Sequence, residues 1–341
     1  MAIKSVCTFF LFQFLLTLSM DGQQIVRLSD SSKVSIRGLS VVNDHLIWVS
    51  GTGGKVGKSI NGGRSWEWNI VPGFEKRDFR DIEAFDEKTA IIIAVAEPAN
   101  ILKTTDGGKT WRTVFTDTAK GMFLDALDFT SNGAEGVVIG DPMQERLFMA
   151  RTKDMGDHWL VESANKEPVV ENGEALFAAS GTNIKLFTND NTGALSTIFV
   201  SGGKKSRLFY NNISFNIPMI EGQESTGANG LDLWNNRSGV IVGGDFAKDS
   251  TGTKNCVLFE LDPEIRLSVP QTPPHGYRSA VAYLDANRLI ACGTSGIDIS
   301  EDGGKNWKLI SREAYHVCKK AKKGNTIFLA GPMGKIAKLV W

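Results

Sequence analysis

The chain has 341 residues, 42% of them hydrophobic, with 36 glycines, and its 38 Lys and Arg balance its 38 Asp and Glu. Zero net charge leaves no basic field to hold a nucleic-acid backbone, so nucleic acid is excluded as an expected partner. Glycine abundance beside a moderate apolar content suits many short strands joined by tight turns, and repeat architectures of this length run as one unit.

In chain order, Lys4 and the apolar run Val6 to Leu18 read as an export leader, too short to span a bilayer. Cleavage between Ser19 and Gln23 is expected, giving a leader over 1–22 and one domain over 23–341, secreted or periplasmic. An uncleaved anchor is the alternative. No later run approaches a membrane span. Leader removal takes Cys7 and leaves Cys256, Cys292 and Cys318. Three buried strand thiols are expected, with a Cys292–Cys318 bridge between adjacent blades as the alternative. No CxxC or His-rich cluster suggests a metal, and no cofactor motif is present.

The next signal is a recurring octet. SINGGRSW (59–66), TTDGGKTW (104–111), TKDMGDHW (152–159) and SEDGGKNW (300–307) share an S/T-x-D/N-x-G-x-x-W pattern. The Asp or Asn accepts backbone N–H groups across a turn, glycine takes positive φ, and tryptophan packs sideways. Trp66 to Trp111 is 45 residues, Trp111 to Trp159 is 48, and Trp159 to Trp307 is 148, close to three further steps. A period of about 40–50 residues with four strands per repeat signifies a propeller. Seven apolar runs ending near Gly51, Ala96, Gly140, Gly203, Gly244, Gly293 and Gly331 read as the second strands of seven blades. The fold expected is therefore all-β, a seven-bladed β-propeller of four-stranded blades, with six blades as the alternative. The last repeat is one strand short, and Gln24 to Leu28 is a spare strand that would complete it and remove an open edge.

These octets resemble the Asp-box (BNR) turns of the sialidase-like propellers. That resemblance implies fold, because the box lies on the blade perimeter away from the ligand face. The chain is more similar overall to the photosystem II stability and assembly factor family, exported seven-bladed propellers with the same DGG-x-x-W turns that bind partner proteins and perform no catalysis.

Propeller topology puts the start of each innermost strand, and the loop after each second strand, at the ligand face. Counting about fifteen residues back from each second-strand end lands on Arg37, Asp81, Asp125, Asn229, Arg278 and His316, with Glu174 for the fourth blade, which is out of step. The loops add Glu97, Asp141 and Asp245, and Arg80 neighbours Asp81. The expected ligand-binding set is Arg37, Arg80, Asp81, Asp125, Asp141, Asp245, Arg278 and His316, an axial mouth gripping an anionic or sugar-like ligand or a protein partner through guanidinium forks. The chain is expected to be a monomeric binding or assembly scaffold. The rival is a sialidase-like glycoside hydrolase acting on an acidic sugar, with Asp81, Asp125 or Glu174 as acid/base and Arg37, Arg80 and Arg278 as the carboxylate clamp. Its weak point is the nucleophile. Of Tyr210, Tyr277, Tyr283 and Tyr315, Tyr277 adjoins Arg278, and neighbours in a strand face opposite sides.

Overall fold

A computed structural model describes residues 22–29, 33–163, 165–190, 192–261 and 264–341. The expected leader, through residue 21, and Cys7 lie outside the described residues. No helix among the described residues is long and apolar enough to cross a membrane.

Seven antiparallel blades of four strands surround one axis, the strands of blades I to VI running outward in chain order. The innermost strands are Ile36–Val41, Phe79–Ala84, Leu124–Phe129, Ile184–Thr188, Thr226–Trp234, Ala280–Tyr283 and Val317–Lys320. Blade VII takes its outer strand from the other end of the chain. Gln24–Ser29 pairs with Ile336–Val340, Gln24 opposite Val340 and Ser29 opposite Ile336. Ile25 packs on the core between blades VI and VII, so the closing strand contributes apolar burial as well as a ladder.

Second strands such as Ala90–Ala94 are buried at every residue, because each face meets a neighbouring blade and neither meets water. Between blades I and II, for example, Trp48 and Val56 pack against Ile82, Ile92 and Leu102. The tryptophan turns join third and fourth strands. In the second, Asp106 accepts the amides of Lys109 and Thr110 and the Thr110 hydroxyl. The Thr110 bonds hold its carboxyl down at about 2. Gly107 and Gly108 supply φ of +85° and +87°, which a Cβ would strain. The Gly107 amide donates to Lys88 in the turn between strands one and two, so these octets sit at the face opposite the starts of the innermost strands.

One departure concerns blade IV. Its first strand begins at Ile184, ten residues after Glu174. The intervening segment belongs elsewhere: Glu174–Ala175 and Gly202–Gly203 form a two-residue ribbon that extends the inner edge of blade V, where Gly202 pairs with Gly227.

Candidate functional site

Four innermost strands open with the same irregularity. The ladder skips one residue between Ile36 and Gly38, Phe79 and Asp81, Leu124 and Ala126, and Ala228 and Gly230. The skipped residues are Arg37, Arg80, Asp125 and Asn229. A bulged residue is released from the pleat and its side chain re-aimed. All four line one axial cavity of about 410 Å³, together with Asp141, His316, Tyr277 and the aromatic rings of Phe123, Phe177 and Phe246.

The cavity has two chemically distinct sides. On the cationic side, the Arg37 Nη1 donates to the Ala179 carbonyl at 3.2 Å and the Arg80 Nη1 to that of Ala178 at 3.4 Å. Arg80 also pairs with Asp78 at 2.8 Å and lies 5.8 Å from the centre of the Phe123 ring. Burial foremost, and then the Arg80 charge, lowers the Arg37 pKa. No carboxylate lies within ion-pair distance of Arg37 among the described residues, so part of its guanidinium fork is unspent. On the aromatic side, Phe246 meets Phe177 and Tyr277 edge-on, with centroids 5.7 and 6.3 Å apart.

Asp125 lines the same cavity. It is wholly buried, and neither carboxyl oxygen has a hydrogen bond. The Ala178 amide stands nearby, outside hydrogen-bond geometry. Burial first, and then the charge of Asp141, pushes its pKa well above the usual carboxylate range, with Arg80 offsetting part of the rise. Asp141 accepts the Leu176 amide at 3.1 Å and is itself raised by burial. His316 is lowered to about 4 by burial and by Arg37. Its Nδ1 contacts the Ile36 carbonyl at 2.9 Å. A carbonyl can only accept, so the proton resides on Nδ1 and Nε2 is a neutral acceptor.

Arg37, Arg80, Asp125, Asp141 and His316 thus converge as a group. Five other residues expected at this face are engaged elsewhere. Arg278, fully buried, turns away from the cavity and pairs with Asp298, also fully buried. Its Nε donates to Asp298 at 2.7 Å. The alternation of Tyr277 and Arg278 does operate, and it brings the tyrosine inward. Asp81 follows the bulge and so falls behind Arg80. It accepts the amides of Ile82 and Leu127 and the Lys319 ammonium, and burial raises it to about 6. The loop into blade IV crosses over it at Gly181, where a Cβ would come within 2.1 Å of the Asp81 carboxyl carbon. Glu174 is clasped by the Nε and Nη2 of Arg207 and by the Ser201 hydroxyl. Asp245 caps the turn Phe246–Lys248 through the Ala247 amide and accepts the Ser225 hydroxyl. Glu97 accepts the Gly121 amide.

The opposite mouth is a larger cavity of about 730 Å³, bordered by Glu83, Asp128, Lys185 and Lys322. These four are engaged: Lys185 with Asp232 at 3.1 Å, Lys322 with Glu83, and Asp128 accepting the Leu186 amide at 2.6 Å. Such pairs tie blades together. The smaller cavity is the candidate site.

The fold defines a seven-bladed β-propeller with one partly unsatisfied axial pocket. No protein-family model matches the sequence, and no curated protein matches it. Among solved structures, the chain is similar to one described as YCF48 bound to D1 peptide, with 16% identity, TM-score 0.62, and coverage of 95% of this chain and 96% of that one. YCF48 from Cyanidioschyzon merolae is also similar, at 16% identity, TM-score 0.54, and coverage of 93% and 98%. So is U3-55K, at 12% identity, TM-score 0.61, and coverage of 94% and 98%. At such identities the likeness establishes the propeller fold.

Proposed function

We propose that this chain is a protein-binding propeller, and that its axial pocket receives an acidic group carried by a segment of the partner with an aromatic or other large apolar side chain beside it. The observation that carries this reading is Asp125, a buried carboxyl without a partner, in a cavity that two arginines and several aromatic rings also line. Leaving a buried polar group unmade costs about 1–3 kcal/mol. A bound segment would offset that cost by donating a backbone N–H to Asp125, while its carboxylate meets Arg37 and Arg80. The D1 peptide bound by a similarly folded protein supports a peptide occupant here, and the leader-like start of the sequence supports an exported protein with an assembly role.

The glycosidase alternative loses its parts. Arg278 is locked to Asp298 and Glu174 to Arg207. The Tyr277 hydroxyl donates to Asn229 rather than to a carboxylate, and burial raises its pKa, which disfavours a phenolate nucleophile.

Selection of a displayed random peptide library on the protein tests the proposal. Peptides with Asp or Glu near an aromatic residue should be enriched. An Arg37→Ala/Arg80→Ala variant should bind the selected peptides more weakly by roughly tenfold to a hundredfold for each charge-assisted bond lost, at about 1.5–3 kcal/mol apiece. Equal binding to both proteins would place the contact on another surface.

A further inference from the structure

Three cysteines are described, all buried and all reduced: Cys256, Cys292 and Cys318. Two of them are neighbours. Cys292 lies on the second strand of blade VI, Leu289–Gly293, and Cys318 on the first strand of blade VII, Val317–Lys320. Both are fully buried in the apolar core between these blades, among Ile290, Ile297, Tyr315 and Leu329. The Cys318 thiol points at the blade VI strand, with Sγ 3.8 Å from the Ile290 carbonyl oxygen, and Ile290 and Cys292, two residues apart on that strand, face the same core with blade VII. Cys256 is elsewhere, in the core between blades V and VI beside Trp307.

We propose that Cys292 and Cys318 are a disulfide-forming pair, a covalent staple between blade VI and the blade that closes the ring. The two side chains enter one apolar core from neighbouring blades, and a cystine there removes two weak S–H donors from it. Closed blades shield the pair, and burial raises the Cys318 thiol well above its ordinary range. A thiol held protonated does not attack a disulfide. Oxidation therefore belongs to the folding chain, before blades VI and VII dock.

The oxidant is a disulfide of low molecular weight or of an exchange protein. With glutathione disulfide, one cysteine thiolate attacks and releases one glutathione. The second thiolate then attacks the mixed disulfide and releases another. Two protein S–H bonds and one glutathione S–S bond are lost, one protein S–S bond is formed, and two glutathione molecules carry away the two protons and the electron pair.

The test refolds the full chain, reduced and denatured in urea, into a mixture of reduced and oxidised glutathione. Free thiols are then blocked with N-ethylmaleimide under denaturing conditions, and the chain is digested with trypsin. The expected result is the peptide 289–305 joined to 313–319, with Cys256 blocked, and the same link in Cys256→Ser. The linked chain should also unfold at a higher urea concentration than its reduced form. Separate, fully blocked Cys292 and Cys318 peptides, or a bridge to Cys256, would overturn the assignment.

Discussion

Arg278→Ala should be the most damaging single substitution in the central region, costing about 3–5 kcal/mol of stability. Arg278 and Asp298 are both fully buried and paired, and the arginine Nη1 also donates to the Tyr277 carbonyl and the Ser295 hydroxyl at 2.7 Å. Removing the guanidinium leaves the Asp298 carboxylate buried beside a half-exposed His275 alone. Desolvating an unpaired charge is what makes such losses large, whereas replacing both partners with apolar residues of similar volume is often neutral. Urea unfolding should thus show a lowered midpoint for Arg278→Ala and substantial recovery in Arg278→Met/Asp298→Leu. A loss below about 1 kcal/mol in the single variant would mean that the pair is dispensable.

The second large effect should come from removing the closing strand. A chain that begins at Lys33 lacks the ladder from Gln24 to Ser29 and the apolar contacts of Ile25 and Leu28. At about 1 kcal/mol per net hydrogen bond, with the lost burial added, the deficit is roughly 3–6 kcal/mol. The truncation also bares the Ile336–Val340 edge, a template for pairing with other chains. Sedimentation and thermal melts should show a lower melting temperature and larger assemblies than for the full chain. An unchanged melting temperature and size would show that blade VII closes without this strand.

The architecture was legible because it is written in repeats. Turn chemistry fixes the octets at 59–66, 104–111, 152–159 and 300–307, and doubly buried strands read as continuous apolar runs, so the seven blades and the closing strand could be placed by spacing. The site was legible only in part. A bulge adds one residue without a residue type to announce it. In blade II the count therefore fell on Asp81, and Arg80 is the side chain released into the pocket. In blade IV the segment carrying Leu176, Phe177, Ala178 and Ala179 precedes the first strand and folds over the axis, which threw the register off and selected Glu174. Those four residues and Phe246 were not anticipated. An apolar LFAA run within a connection was the available signal, since loops seldom spend large apolar residues without a surface to cover. Arg278 misled because its partner Asp298 lies on the third strand of the same blade, a proximity that no spacing in the sequence displays.

The central claim is that the bulge-built pocket is the contact site and that it recognises a carboxylate next to an aromatic group. The most direct measurement follows the His316 imidazole by NMR while N-acetyl-phenylalanine is added, with N-acetyl-phenylalaninamide as the uncharged control. His316 borders the cavity and senses the Arg37 charge. The account predicts a saturable shift of its ring signals with the acid, a much weaker response to the amide, and no response to either in Arg37→Ala/Arg80→Ala. Equal responses to acid and amide, or a response to the acid that survives in the double variant, would contradict it.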